Sequence, residues 1–297
     1  MIKQLTKVSR LHKNEWRTIK TLIDRSAEHD KFRIKAYWHI VQDRLTMEFN
    51  DLLYYGDGNL IGYLALFTFS SDEAEMTAVV HPKYRQKGLF KKLLAEAILE
   101  LKQRYIRYCV WIVPQRSYIT SELMQSLGGQ YLFSQMEMKA VHDPVPKELP
   151  EIILRPATTA DLPILAQLGS VSFESSFTET LQRFTENLRE KNRKAWLAST
   201  PEESNVGKIH VRYEDSQTAF IHDLCIRPEQ RGKKLAMAMI LQTMTLLRAS
   251  GYKNIILDVE THNQGALRLY EQCGFEVKQA YDFWRLETEI MDKNWGR

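Results

Sequence analysis

A chain of 297 residues exceeds one ordinary domain and suits two of about 150. Its 44% apolar and 26% charged residues exclude wholesale disorder, and a net charge of +4 lacks the strong basic stripe of a general nucleic-acid binder. The opening MIKQLTKVSRLHKNEW has no signal-peptide core, and no apolar run reaches the roughly 20 residues that span a bilayer.

These limits predict a soluble, cytoplasmic protein with no membrane or nucleic-acid partner. Cys109, Cys225 and Cys273 make an odd count without metal-type spacing, so buried, reduced thiols and no metal are expected. In chain order, YYGDGNLIGYLALF carries a hairpin signal at Asp57-Gly58. Then come the strand EMTAVV, the basic turn HPKYRQKG, the helix LFKKLLAEAILELKQRY and the strand YCVWIV. A helix around residues 120–127 stops at Gly128-Gly129. The stretch 141–151, VHDPVPKELPE, places Pro144, Pro146 and Pro150 among charges and reads as an extended spacer. After it a strand (152–155) and a helix capped by Thr158 or Thr159 begin afresh.

The second half then repeats the first. TAFIHDLCI (218–226) is a strand, RPEQRGKK a basic turn, and LAMAMILQTMTLLRAS a helix ended by Gly251. NIILDV (254–259) is a buried strand, residues 264–273 a helix stopped at Gly274, and FEVKQAYDFWRLE the closing strand. Pro82 matches Pro228, Arg85 matches Arg231, Leu89 matches Leu235, and Gly128 matches Gly274, every pair differing by 146 (274 − 128). Two copies of one module therefore lie in tandem, with expected boundaries 1–145 and 152–297. Hairpin strands beside strand–helix–strand units predict an α+β fold with mixed sheets.

A strand ending in a basic turn that opens into a helix makes an anion site. The first helical amides lack partners inside the helix, and the dipole is positive at that end. The turn is Arg85, Gln86, Lys87, Gly88, Leu89, Phe90 in copy one and Arg231, Gly232, Lys233, Lys234, Leu235, Ala236 in copy two.

Between strand and helix the pattern Arg-x-x-Gly-x-Gly/Ala, followed by Asn263, Ala266, Leu269, Tyr270, Gly274 and Phe275, resembles the GNAT superfamily of acyl-CoA-dependent N-acetyltransferases. The resemblance covers both halves, more strongly the second, and the tandem layout is similar to that of mycothiol synthase. It implies two GNAT-like domains, each a mostly antiparallel mixed sheet flanked by helices with one splayed parallel strand pair. It also implies acetyl-CoA as cosubstrate. Leu224, Cys225 and Ile226 would bind the pantetheine by their backbone, residues 231–236 the pyrophosphate, and Asn263 would fix the arm. Tyr270 would protonate the departing thiolate, a task worth around 10²–10⁴ in rate.

The attacking amine must also lose a proton. His222 and Asp258 are the candidates, with Asp258 placed where related ribosomal-protein alanine acetyltransferases carry a glutamate. Strand alternation predicts His222, Leu224 and Ile226 on one face and Asp223 and Cys225 on the other. Copy two departs from the pattern at Lys234, where glycine is usual. Copy one has Phe90, Ser117, Met124 and Gly129 in place of Gly/Ala, Asn, Tyr and Phe, so it is read as degenerate, its Glu75 and Tyr118 notwithstanding. The expected activity is acetyl transfer to a primary amine of a small molecule or peptide. Glu174, Glu179 and Asp223 would favour a cationic acceptor. A non-catalytic acyl-CoA sensor is the alternative, and monomer and homodimer both remain open.

Overall fold

The structure is a computed structural model that describes residues 3–43, 47–117, 119, 121–144, 148–173 and 175–295. Tyr118 and Glu174, both named above, lie outside the described residues, as does Thr120 at the head of one expected helix.

The first unit contains strand β1 (Lys3–Val8), helices α1 (Lys13–Asp30) and α2 (Trp38–Asp43), and strands β2 (Asp51–Gly56), β3 (Asn59–Thr68) and β4 (Glu73–Val80). Helix α3 (Leu89–Gln103), strand β5 (Tyr108–Pro114) and helix α4 (Ser121–Ser126) follow. Strand β6 (Gln130–Ala140) leads out of it. The second unit continues with β7 (Ile153–Pro156), α5 (Leu162–Phe173), α6 (Phe177–Arg189), β8 (Arg193–Ser199), β9 (Gly207–Tyr213) and β10 (Thr218–Ile226). Then come α7 (Leu235–Ala249), β11 (Asn254–Glu260), α8 (Gln264–Gln272), β12 (Phe275–Glu287) and α9 (Thr288–Trp295).

The compact units are Met1–Gln135 with Gln279–Arg297, and Met136–Lys278. They differ from the boundaries 1–145 and 152–297 read from sequence, because each unit closes on a strand rather than at the proline-rich spacer. In the first unit Tyr281–Glu287 of β12 pairs antiparallel with β5, so the last strand and helix of the chain complete the first unit. No local signal in FEVKQAYDFWRLE says which sheet the strand joins.

Within the first unit β1 to β4 are antiparallel neighbours, and β4 runs parallel to β5. Asp57 and Gly58 both take positive φ in the two-residue turn between β2 and β3, as the hairpin signal predicts. Apolar residues recur on α1 at Ile19, Leu22 and Ile23, and this stripe packs on Leu53, Tyr63 and Phe67. The opposite face of the sheet is covered by Leu93, Leu94, Ala97, Ile98 and Leu101 of α3.

In the second unit β7, β8, β9 and β10 are antiparallel neighbours, β10 runs parallel to β11, and β6 borders β11. Met239, Ile240, Met244 and Leu247 of α7 cover one face, against Val211, Ala219, Ile221, Ile255, Leu257 and Val259. Leu165 and Leu168 of α5 and Phe184 of α6 cover the other, against Ala195, Leu197 and Cys225. All three cysteines are buried and unbridged. No helix among the described residues is long and apolar enough to cross a membrane.

Candidate active site

Both parallel strand pairs come apart midway. Pairing of β4 with β5 ends at Met76 and Trp111, and pairing of β10 with β11 ends at Ile221 and Leu257. Past these points the strands offer unpaired backbone edges to whatever enters between them.

The strands leading into the gap differ in one respect. β4 keeps an unbroken register with β3. On β10, His222 pairs with His210 and Cys225 with Lys208, so Asp223 and Leu224 together oppose the single residue Ile209. This is a β-bulge, one extra residue on one strand, and Asp223 carries its strain at φ 48°. The extra residue shows in the repeat once the pairing is known: the offset is 145 at the last pairs before the bulge (221 − 76) and 146 at the turns (228 − 82).

The bulge corrects the expected alternation. Ala219 and Ile221 face α7, yet so do Leu224 and Ile226, while Cys225 faces α5. His222 and Asp223 consequently share the face covered by α5 and α6, and they do not lie on opposite sides. His222 Nδ1 is 3.3 Å from Asp223 Oδ2, and His210 Nδ1 is 3.8 Å from the same oxygen. Lys208, fully buried, donates from Nζ to the Asp223 backbone carbonyl at 3.2 Å and lies 4.4 Å from the Phe184 ring centroid.

The charges of this cluster follow from its burial. Desolvation lowers His222, against the raising effect of its Asp223 hydrogen bond. Desolvation, with Lys208 beside it, holds His210 well below the ordinary histidine value. Desolvation also lowers Lys208, with Asp223 opposing. Burial alone would raise Asp223, but the His222 hydrogen bond and the charges of Lys208 and the two histidines outweigh it and hold the carboxyl far below the carboxylate range. At neutral pH the cluster thus holds an ionised carboxylate between two neutral imidazoles.

Asp258 alternates with buried Leu257 and Val259, so it lies on the same face as His222, near Arg212, whose pKa burial lowers on balance against the opposing charges of Glu214 and Asp258. Glu179, the remaining described acid expected to favour a cationic acceptor, is exposed on α6.

On the opposite face, Tyr270 of α8 packs at the edge of the α7 core, its ring 6.0 Å from that of Phe275. Burial pushes its hydroxyl up to about 12, with Cys273 adding to the shift, so the phenol stays protonated across the physiological range. Tyr270 therefore lies on the α7 face of the sheet and His222 on the opposite face, on one of the two strands that part at Ile221 and Leu257. Asn263 is the N-cap of α8, its Oδ1 accepting from the Ala266 amide at 3.0 Å, which gives the residue a local structural task.

The basic turns are built alike. Lys234 and Gly88 are the N-caps of α7 and α3, both in left-handed conformation, and neither helix start receives a side-chain cap. The amides of the first turn are left facing outward. Each turn also has a second positive-φ position, Gln86 and Gly232. Copy one supplies glycine only at the N-cap, Gly88, and copy two only at the earlier position, Gly232. Arg85 and Arg231 donate from Nε to the Val80 and Ile226 carbonyls respectively. There the likeness ends: Arg85 also forms a two-pronged ion pair with Asp30 of α1, both contacts 2.6 Å, whereas Arg231 is exposed. Lys233 bonds Gln230 at 2.7 Å. In the first unit the gap opens into a cavity of about 370 Å³, lined by Asp30, Met76, Val80, Arg85, Phe90 and Trp111 among others.

Sequence reasoning missed Asp30, Lys208 and His210. For the latter two a signal was present. GKIHVRY alternates Lys208, His210 and Arg212 with apolar Ile209 and Val211, a polar stripe on a strand whose stripe face is itself buried.

The sequence pattern of the "Acetyltransferase (GNAT) family" matches residues 13–119 and again 162–275. The chain belongs to that family. Among its relatives, a mycothiol acetyltransferase of Thermobispora bispora is 27% identical over 241 residues, covering 75% of this chain and 79% of the relative. The uncharacterized N-acetyltransferase YycN of Bacillus subtilis is 33% identical over 118 residues, covering 39% and 72%. Among solved structures, a GCN5-related N-acetyltransferase of Sphaerobacter thermophilus superposes with a TM-score of 0.77 at 19% identity, covering 96% of each chain. A tandem GNAT protein from the clavulanic acid biosynthesis pathway gives 0.73 at 14%, covering 97% and 99%. The family match makes the chain an acetyltransferase, and the structural likenesses show the tandem GNAT fold.

Proposed function

We propose that this GNAT protein transfers the acetyl group of acetyl-CoA to a primary amine of a small molecule or peptide, and that the second unit carries out the reaction. What supports this is an acid-capable phenol on one face of the sheet and a base-capable imidazole on the other, the latter on a strand of the pair that parts. A thioester held in that gap has Tyr270 on one side and the incoming amine with His222 on the other.

The amides at residues 235–237, with Arg231, Lys233 and Lys234, suit a diphosphate by charge and by unsatisfied donors. The bulge frees the backbone of Asp223 and Leu224 from β9, which suits binding of the pantetheine arm by main chain, the role expected of Leu224, Cys225 and Ile226. His222, neutral through burial, accepts the proton of the attacking amine, and Asp258 acts through its charge beside Arg212. Tyr270 donates to the departing sulfur.

In the first unit Met124 stands in the tyrosine's place, fully buried and without a proton to give. Its cleft, with Gln86, Lys87, Gly88, Leu89 and Phe90 at the mouth, fits binding without turnover. Thiol release from acetyl-CoA in the presence of a panel of amines tests the reading. Turnover that survives Tyr270→Phe unchanged would remove the proposed acid, and no release with any amine would favour a binding protein.

A further inference from the structure

The side chains of His222 and His210 present a question that acetyl transfer alone does not answer. His210 is buried and His222 is 16% exposed at its side chain, yet in each the Nε2 atom is itself shielded and has no hydrogen-bond partner among the described residues. An ionised carboxylate can only accept, so a neutral imidazole that bonds it must carry its proton on the atom that faces it, here His222 Nδ1 at 3.3 Å. The proton of His222 therefore belongs on Nδ1, the atom that faces the Asp223 carboxylate.

We propose that Asp223 is a positioning residue: it holds His222 in the Nδ1–H tautomer, so that Nε2, shielded from water in this structure, carries the lone pair that would take the amine's proton, and the one-residue bulge is what brings the two neighbours onto one face. The catalytic consequence rests on the acetyl-transfer reading above; the tautomer does not.

Three features support the assignment. First, without the bulge, consecutive strand residues point to opposite faces and this contact cannot form. Second, Asp223 tolerates φ 48°, a conformation that aspartate and asparagine adopt more readily than most residues. Third, Asp223 is itself fixed from behind, by Lys208 Nζ on its carbonyl and His210 Nδ1 toward its carboxylate. The proton balance is simple. The amine nitrogen gives its proton to Nε2 as the new N–C bond forms, and the adjacent carboxylate offsets the imidazolium charge; the thioester C–S bond then breaks with its electron pair on sulfur, which takes the Tyr270 proton, and exchange with solvent restores both side chains.

The three ligand-capable atoms lie within 4.8 Å of one another, a spacing that also suits a divalent cation. Ligation through both Nδ1 atoms would drive the protons onto Nε2, where neither finds an acceptor, and would set a cation beside Lys208. The hydrogen-bonded arrangement satisfies the site better.

The charged groups around His222 are Asp223 on its own strand, Arg212 on β9 and Arg193 on β8, with Asp258 of β11 on the same face. His210 is faced by Lys208, Asp223, His222 and Arg183 of α6. Loss of the Asp223 carboxylate removes the one interaction with a raising effect on His222. In Asp223→Asn the acid limb of kcat/KM for the amine should move to lower pH, while its plateau falls on the order of 10²-fold and the KM for acetyl-CoA holds.

Nitrogen-15 NMR of the intact, histidine-labelled protein reads the tautomer directly. The expected result is a His222 ring protonated at Nδ1 with a bare Nε2, reversed or mixed in Asp223→Asn. A wild-type His222 protonated at Nε2, or an Asn variant with an unshifted profile and full rate, overturns the proposal even if acetyl transfer is confirmed. So does stoichiometric zinc binding that shifts both histidines. If instead no amine is acetylated by the wild type, the functional reading falls while the tautomer measurement still decides this one.

Discussion

The two units share a fold and a turn, and they differ in what surrounds the turn. In the first, Arg85 is clamped by Asp30, whose carboxylate is only 4% exposed, and β4 runs straight into the gap. In the second, Arg231 is exposed, and β10 arrives through a bulge that gathers Asp223, His222, His210 and Lys208 on one face. One arginine closes a wall and the other stands free for an anion. The difference teaches that a phosphate-binding signature specifies a backbone shape. Chemistry is added by neighbours that the signature does not contain.

The largest test of that contrast is at the helix after the gap. Tyr270→Phe should lower kcat by about 10²-fold or more with little change in the KM for acetyl-CoA, since the interaction exists only as the thiolate leaves. The matching change in the first unit, Met124→Leu, conserves volume in the core and should leave acetyl transfer as it was, at a stability cost below about 1.5 kcal/mol. Equal effects of the two changes on turnover would dissolve the division of labour.

The arginines come next. Arg85→Ala strips the partner from a nearly buried carboxylate and should cost about 3 kcal/mol in denaturant unfolding, with the KM for acetyl-CoA little moved. Arg231→Ala should cost only a few tenths of a kcal/mol, as an exposed charge does, and raise that KM. A reversal of the pair would mean that the first unit's turn, not the second's, holds the cosubstrate.

Most of the frame behind these contrasts was legible in the sequence. β10 and β12 occupy the residues assigned from TAFIHDLCI and FEVKQAYDFWRLE, because alternation and glycine stops are local signals. The turns were read from the spacing of the repeat, and the role proposed for Tyr270 from the resemblance to the GNAT pattern. What was not legible was non-local. The partner sheet of β12 depends on tertiary pairing, and the clamp on Arg85 comes from a helix 55 residues away in sequence. The face of Asp223 was misread because a two-residue period carries no mark of an inserted residue. The inserted residue shows only once the strand pairing is known, as a change of offset from 145 to 146 (221 − 76 against 228 − 82).

Acid should weaken the second unit through a pair of neighbouring histidines, where the first has His81, just past β4, shifted the same way. His210 and His222 are both lowered in the folded protein, so the unfolded chain takes up protons first as the pH falls. Their contribution to stability is whole above the ordinary histidine value of about 6.5 and is lost as pH drops from there toward the folded values. Urea unfolding from pH 7.5 to 5 should show the decline. Substituting both histidines with apolar residues of similar volume should flatten it.

The smallest effects lie in the turns themselves, where each copy has placed glycine at one of two left-handed positions and left a strained side chain at the other. Gln86→Gly and Lys234→Gly each relieve about 1 kcal/mol of strain, and the freedom that glycine gives the unfolded chain takes back part of it. A net gain of roughly 0.5 kcal/mol is expected at both sites, readable as a shift in urea midpoint. Their ligand effects should part company. At residue 86 a neutral side chain is lost and the KM for acetyl-CoA should stay put. At residue 234 a cation beside the uncapped amides of α7 is lost, so the KM should rise several-fold even as the fold becomes firmer. A lysine retained in a strained position is then explained by the anion it meets, and equal ligand behaviour of the two variants would leave that strain without a purpose.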